Sequence, residues 1–165
     1  MKLNEHIFRA NDIRGVAYED LNQEVVINLG KALGSEAQDR GLSEFIIGRD
    51  GRLSSPDIFE WLSSGVISSG CNVIDIGIVS SPMFYHSTFS LSSSSGVVIT
   101  GSHNPGEYNG FKIVFQNNST SSEEITFVKN RVINRDIRSG NGLLKSENIE
   151  ESYINRIVDS INIEK

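Results

Sequence analysis

The stretch Gly96–Phe115 limits the fold more than any other part of the chain. An apolar run from Val97 to Ile99 and a second from Phe111 to Phe115 read as buried strands, and between them lies a polar loop dense in Gly, Asn, Ser and His. Uninterrupted apolar strands of this kind belong to a sheet covered on both faces. The connection from Gly101 to Gly110 contains no helix and is too short for a parallel crossover. The strand from Phe111 is therefore expected to run antiparallel to its predecessor. A polar loop held by two buried strands is rigidly mounted, and chemistry tends to sit on such loops. Ser102 stands at the start of this one and Lys112 just past its end.

The chain ahead of this stretch alternates strand and helix. Ile7 and Phe8 begin a short apolar strand running into Arg9-Ala-Asn-Asp-Ile-Arg-Gly15. Asn22 is placed to cap a helix from Gln23, and Val26, Leu29, Leu33 and Ala37 share one face of it until Arg40-Gly41 stops it. Gly30 and Gly34, one turn apart, imply close packing of that helix against a strand. Phe45 to Gly48 and Val73 to Val79 read as buried strands, and the Ser55-Pro56 and Ser81-Pro82 pairs open helices. Ser92 to Ser95 is a low-complexity connector with no assigned function. Beyond Phe115, Ser121 and Glu124 have capping-box spacing at the head of a helix running to about Arg138. Ser139-Gly-Asn-Gly142 reads as a flexible break. A last helix, from about Glu147 to a stop at Ile163-Glu-Lys165, carries Ile154, Ile157, Val158 and Ile161 on one face. That face needs a partner, either this domain or another one. The pattern predicts an α/β fold with three α/β/α layers, whose mostly parallel mixed sheet has one antiparallel strand.

A chain of 165 residues suits one ordinary domain. The net charge of −6, with Lys and Arg scattered, argues against a nucleic-acid partner. No apolar run reaches membrane-spanning length, and the N-terminus lacks the apolar core of a signal peptide. The expectation is a cytoplasmic protein with no membrane partner. Cys71 is the single cysteine, so no internal disulfide can form, and nothing around it resembles a thiol-nucleophile signature. It reads as a small buried hydrophobe.

A serine beside a histidine invites a hydrolase reading. Neighbours on an extended loop point apart, however, and the flanks lack a Gly-x-Ser-x-Gly elbow. Phosphoryl chemistry fits better. Gly101 would let backbone amides approach an anion, Ser102 offers an acceptor oxygen, and Lys112 and Arg14 could neutralise oxygens in flight. Each has a bland counterpart: a loop serine, an edge-strand lysine and an arginine in a turn.

The residues also carry a resemblance. Thr100-Gly-Ser-His-Asn-Pro105, then Tyr108-Asn-Gly-Phe-Lys-Ile113, with Asp12-Ile-Arg-Gly15 and Gly48-Arg-Asp-Gly-Arg-Leu-Ser54 upstream, is similar to the α-D-phosphohexomutase family in its bacterial phosphomannomutase/phosphoglucomutase branch. The resemblance implies that Ser102 is the phosphorylated serine and, through its phosphate, one ligand of Mg²⁺. It implies that His103 helps place the reacting groups, that Lys112 is a cation and candidate acid or base for the sugar hydroxyl, and that Arg14 contacts the transferring phosphate. Arg49 and Asp50 would either touch substrate or form an ion pair that shapes a strand end. The implied reaction interconverts hexose 1- and 6-phosphates of mannose or glucose through a bisphosphate intermediate.

Departures exist. Asn11 stands where members often carry tyrosine, and Gly106-Glu107 replaces Pro-Asp. The family's Asp-Gly-Asp-x-Asp-Arg metal loop, Gly-Glu-x-Ser-Gly sugar loop and Arg- and Ser-rich phosphate loop belong to its second, third and fourth domains and do not occur here. The resemblance thus implies a first domain over residues 1–145, with the phosphoserine loop at 100–110, and a helix over 146–165 leading to a missing second domain. Its partners would be the remaining domains of the same chain, and the fragment alone would be inactive. A stand-alone anion-binding or regulatory module derived from such an enzyme is the alternative.

Overall fold

The computed structural model describes residues 3–161, so the expected helix stop at Ile163-Glu-Lys165 lies outside the described residues. The strands are β1 (Ile13–Val16), β2 (Glu44–Arg49), β3 (Asn72–Ile78), β4 (Gly96–Ile99), β5 (Tyr108–Phe115), β6 (Asn118–Ser119) and β7 (Leu144–Ser146). The helices are α1 (Gln23–Asp39), α2 (Ser55–Ser68), α3 (Ser81–Ser90), α4 (Ser122–Asn134) and α5 (Glu150–Ser160). One mixed sheet takes the order β1-β5-β4-β2-β3-β7, with β6 also on β5. β2 is parallel to β3 and β4, and β3 is parallel to β7. β5 is antiparallel to β4, β1 and β6, so it alone runs against the rest. The Gly101–Gly110 connection indeed reverses the chain, and the fold is the expected three-layer α/β/α arrangement.

Two cores make the layers. On one face, Val26, Leu29 and Leu33 of α1, Leu62 and Val66 of α2, and Val128 and Val132 of α4 bury Ile13, Phe45, Ile47, Val97 and Phe111. On the other, Phe84 of α3 and Ile149 ahead of α5 cover Ile46, Ile74, Val98 and Val114. Strand side chains alternate, so Arg14 and Lys112 stand on this second face at the β1–β5 end.

Local signals are mostly realised. Asn22 Oδ1 accepts from Val25 N at 3.2 Å, and both bonds of the Ser121–Glu124 capping box form. α2 and α3 start where the Ser-Pro pairs predict, but the N-cap positions are Ser54 and Ser80, one residue earlier.

Several expectations are corrected. Glu5–Ile7 is a turn of 3-10 helix, and the first strand begins only at Ile13, with Phe8 joined to Ile13 by one bridge. Gly30 and Gly34 pack against helix α2, not against a strand. A Cβ on Gly30 would lie 3.0 Å from Gly65 Cα and would collide with the Leu62 carbonyl. α4 ends at Asn134, because Arg135 turns into the left-handed region at φ 54°. The serine connector has work to do: Ser93 Oγ donates to the Glu44 carbonyl at 2.7 Å, and Ser95 Oγ accepts from Gln116 N at 2.8 Å. Residues 139–142, read as a break, form neither helix nor strand but are tied to the end of α2, Gly140 N donating to the Ser68 carbonyl at 3.0 Å and Gly142 N to the Ile67 carbonyl at 2.9 Å. Just after them β7, which the sequence does not signal, adds an edge strand to β3. All three β7 residues are exposed, so no burial pattern marks them; main-chain pairing with β3 and the Lys145–Glu44 ion pair at 2.8 Å hold them. The last helix begins at Glu150. It touches α3 through a 2.8 Å hydrogen bond between His86 Nε2 and Ser152 Oγ, and leaves Ile154, Ile157, Val158 and Ile161 exposed. No described helix is long and apolar enough to cross a membrane.

Candidate active site

The loop from Thr100 to Glu107 leaves the carboxyl end of β4 and enters β5 beside the end of β1, where Ala17 N donates to the Glu107 carbonyl at 2.8 Å. Ligands of open α/β sheets bind outside this edge, at the carboxyl ends of the parallel strands. Thr100 starts the turn: its N–H donates to the Gly110 carbonyl at 2.9 Å, and its Oγ1 accepts from Ser102 N at 3.0 Å. Ser102 sits at φ 53°, left-handed for a non-glycine residue, with its side chain exposed. That conformation costs roughly 1–2 kcal/mol and persists only where the surroundings hold it.

His103 is close after all. Its Nδ1 lies 3.3 Å from Ser102 Oγ. The expectation that the two side chains point apart fails because the loop is a turn at Ser102 and not an extended segment. A hydrolytic triad is still not formed: no carboxylate pairs with His103 among the described residues, so nothing orients the imidazole as a base.

Arg14 and Lys112 come together through Asp12. Arg14 Nη2 bonds Asp12 Oδ2, and Lys112 Nζ lies 3.9 Å from the same oxygen. Register explains the meeting: Arg14 pairs with Gly110 and Ile13 with Phe111, which brings Asp12 toward Lys112 across the β1–β5 ladder. Asp12 belongs to the Asp12-Ile-Arg-Gly15 motif, yet nothing local in that motif reveals that it carries two cations. Asn11 is exposed beside it.

The segment after β2 holds the loop from beneath, and its role was not legible from the residues alone. Arg49 turns away, pairing with Asp75 at 3.1 Å and stacking on Phe59 at 4.6 Å. Asp50 does not pair with Arg49. Its Oδ2 accepts from Gly101 N at 3.1 Å and faces Arg52 Nε at 3.3 Å, while Oδ1 accepts from Ser55 Oγ at 2.7 Å and Arg52 N at 3.0 Å. Burial opposes the Asp50 charge, but these hydrogen bonds outweigh it, so the carboxyl is held below its usual range.

Arg52 reaches under the loop. Nη1 donates to the carbonyls of Pro105 at 2.6 Å and Tyr108 at 3.0 Å, and Nη2 donates to those of Asn104 at 2.7 Å and Ser102 at 3.1 Å. Gly101 is required for this approach, because a Cβ there would overlap the guanidinium. Its own amide is spent on Asp50. Buried Asn109 completes the lacing, with Nδ2 donating to Ser54 Oγ at 2.9 Å and Ser55 Oγ at 3.0 Å. This explains why Ser54 does not cap α2.

Comparison with known proteins shows the family of the domain that carries this loop. Residues 5–139 match the family model described as phosphoglucomutase/phosphomannomutase, alpha/beta/alpha domain I. The chain belongs to the phosphoglucomutase/phosphomannomutase family. Among its relatives is the phosphomannomutase/phosphoglucomutase of Pseudomonas aeruginosa, 42% identical over 159 residues, which covers 96% of this chain and 34% of that protein. The phosphoglucomutase of Neisseria meningitidis serogroup B is 35% identical over 162 residues, covering 96% of this chain and 35% of that one. A crystal structure of a phosphoglucomutase/phosphomannomutase family protein from Burkholderia thailandensis superposes with a TM-score of 0.94 at 33% identity, covering 99% of this chain and 38% of that one. The chain thus spans about a third of the length of the curated relatives it matches.

No group of three or more His, Cys, Asp or Glu side chains suited to a metal ion occurs among the described residues. The family domain as it stands here does not by itself fit a complete Mg²⁺ site.

Proposed function

We propose that this chain is the phosphoserine-bearing first domain of a phosphohexomutase, interconverting hexose 1- and 6-phosphates of mannose or glucose through Ser102. The observation that carries the reading is the Ser102 turn: an exposed hydroxyl fixed at φ 53°, 3.3 Å from His103 Nδ1, at the carboxyl edge of the parallel strands. In the forward step, phosphoserine 102 gives its phosphoryl group to the free hydroxyl of a hexose monophosphate. The P–O bond to Ser102 Oγ breaks and a new one forms to the sugar oxygen, while the sugar hydroxyl gives up its proton and Ser102 Oγ gains one. The resulting bisphosphate turns over in the site, and its other phosphoryl group passes back to Ser102 Oγ.

In this reading Arg14 contacts the transferring phosphate, and Lys112 handles the sugar hydroxyl's proton. His103 holds the reacting groups in place. Phosphoryl transfer depends mainly on such positioning and charge stabilisation. Mg²⁺, when bound to the phosphate on Ser102, would supply further charge neutralisation, with its remaining ligands coming from outside this chain. Residues 1–145 act as the domain proper, and 146–165, which carry α5, lead toward a second domain. The domain alone is expected not to turn over substrate.

The test is Ser102→Ala in the full-length protein. Turnover of glucose 1-phosphate is expected to fall by at least about 10³-fold while the circular dichroism spectrum is kept, in line with the loss of a covalent nucleophile. Intact mass of the wild type should show one phosphate, absent in the variant. Unchanged turnover removes Ser102 from the mechanism.

A further inference from the structure

We infer that Arg52 is a positioning residue that presets the Ser102 loop for transfer without itself touching phosphate; this rests on the reading that Ser102 carries the phosphoryl group. A guanidinium presents five N–H donors in a rigid planar fork. In Arg52 the two terminal nitrogens are committed to four carbonyls, three in the loop and that of Tyr108 at the start of β5, and Nε faces Asp50. Its donors are spent on the protein, so it is unlike Arg14 and Lys112, which among the described residues share one carboxylate oxygen, Asp12 Oδ2.

The loop needs such a support. Its own main chain contributes the Asn104 N to Gly101 O and Tyr108 N to Pro105 O hydrogen bonds, at 3.0 and 3.1 Å. Among the described residues Arg52 is the protein donor to the Ser102 and Asn104 carbonyls. These flank the peptide of His103 and fix the turn that carries both reacting side chains. Asp50, two residues earlier on the same segment, takes the Gly101 amide on the way into the turn. One short segment at the end of β2 therefore grips both the entry amide and the carbonyls of the loop. Ser102 stays at its unfavourable φ because this grip holds it. A serine preset in this way returns to the same position after each transfer, and that is what a residue that must both give and receive a phosphoryl group requires.

The experiment uses the full-length protein that contains this chain. Arg52→Ala is expected to lower kcat about 10²-fold, the scale of a displacement of about 1 Å in a reacting group, with KM for the sugar phosphate unchanged. Millimolar guanidinium should restore much of that kcat, which also shows that the variant is folded. Gly101→Ala, whose Cβ would displace the guanidinium, is expected to produce a similar loss that guanidinium does not restore. The double variant should be no worse than either single one, because both break one grip. Arg52→Lys, with a point charge in place of the fork, should fall between wild type and Arg52→Ala. The inference is overturned if the two single losses multiply, if KM rises while kcat holds, or if Arg52→Lys or Arg52→Ala turns over at the wild-type rate. Ser102→Ala separates the two claims: if it abolishes turnover while Arg52→Ala keeps the wild-type kcat, the inference about Arg52 fails and the role of Ser102 stands.

Discussion

The Asp50→Asn substitution is a close test of how the loop is held. Asp50 is 24% exposed on its side chain and uses both oxygens. Oδ1 serves Ser55 Oγ and Arg52 N, and Oδ2 serves Gly101 N and Arg52 Nε. Asparagine keeps one oxygen and replaces the other with an NH₂ group. If the NH₂ takes the Oδ2 place, it opposes the Gly101 amide and the Arg52 side chain, donor against donor. If it takes the Oδ1 place, it opposes Arg52 N. Either way one backbone amide loses its partner and Arg52 loses its counter-charge. A hydrogen bond to a charged group is worth about 1.5–3 kcal/mol, so the variant should be roughly 2 kcal/mol less stable at pH 7. For a chain of this size that lowers Tm by about 4–8 °C.

The pH dependence gives a second reading. The folded Asp50 carboxyl lies below its unfolded value, so its contribution is complete above about pH 4 and is lost as pH falls through the folded value. Asp20, Asp39 and Glu44 are also held low, so wild type and variant will both weaken in acid. Only the difference between them reports Asp50, and it should close below about pH 4. Urea denaturation from pH 3 to 7 measures it. A difference of less than about 0.5 kcal/mol at pH 7, or one that does not shrink in acid, would refute the assigned hydrogen bonds.

Two further outcomes follow from the same structure. Gly30→Ala should destabilise by about 1–2 kcal/mol in urea, because the close approach of α1 to α2 outweighs the roughly 1 kcal/mol that alanine adds to an open helix site; a stabilised variant would contradict the helix contact. The Cys71 thiol is pushed up to about 12, first by burial and then by the nearby Glu44 charge. Iodoacetamide at pH 8 should therefore label it only as fast as the chain unfolds, and labelling at the rate of a free thiol would show that the site is open.

Much of the architecture was legible in one dimension because its causes are local. The Asn22 cap, the Ser-Pro openings and the Ser121–Glu124 box act within a single turn, and apolar runs declare buried strands wherever they pair. The length of the Gly101–Gly110 connection was enough to reverse β5. β7 escaped notice since an exposed edge strand needs no apolar side chains, and the 3-10 turn at Glu5–Ile7 escaped because an apolar pair can be buried in either conformation. The interior glycines of α1 announced a close approach without naming the partner, because a missing Cβ is silent about which element fills the space.

The candidate site divides in the same way. Residue types, and motifs that resemble the family, singled out Ser102, His103, Lys112 and Arg14 as candidates. Tertiary structure decided how they are held. The Ser102–His103 distance depends on one backbone angle, the sharing of Asp12 on the register of β1 against β5, and the reach of Arg52 on a segment some fifty positions earlier lying beneath the loop. Hydrogen bonds between distant segments leave no periodicity in the chain, so residue types and motifs could name the candidate residues but not the contacts that hold them.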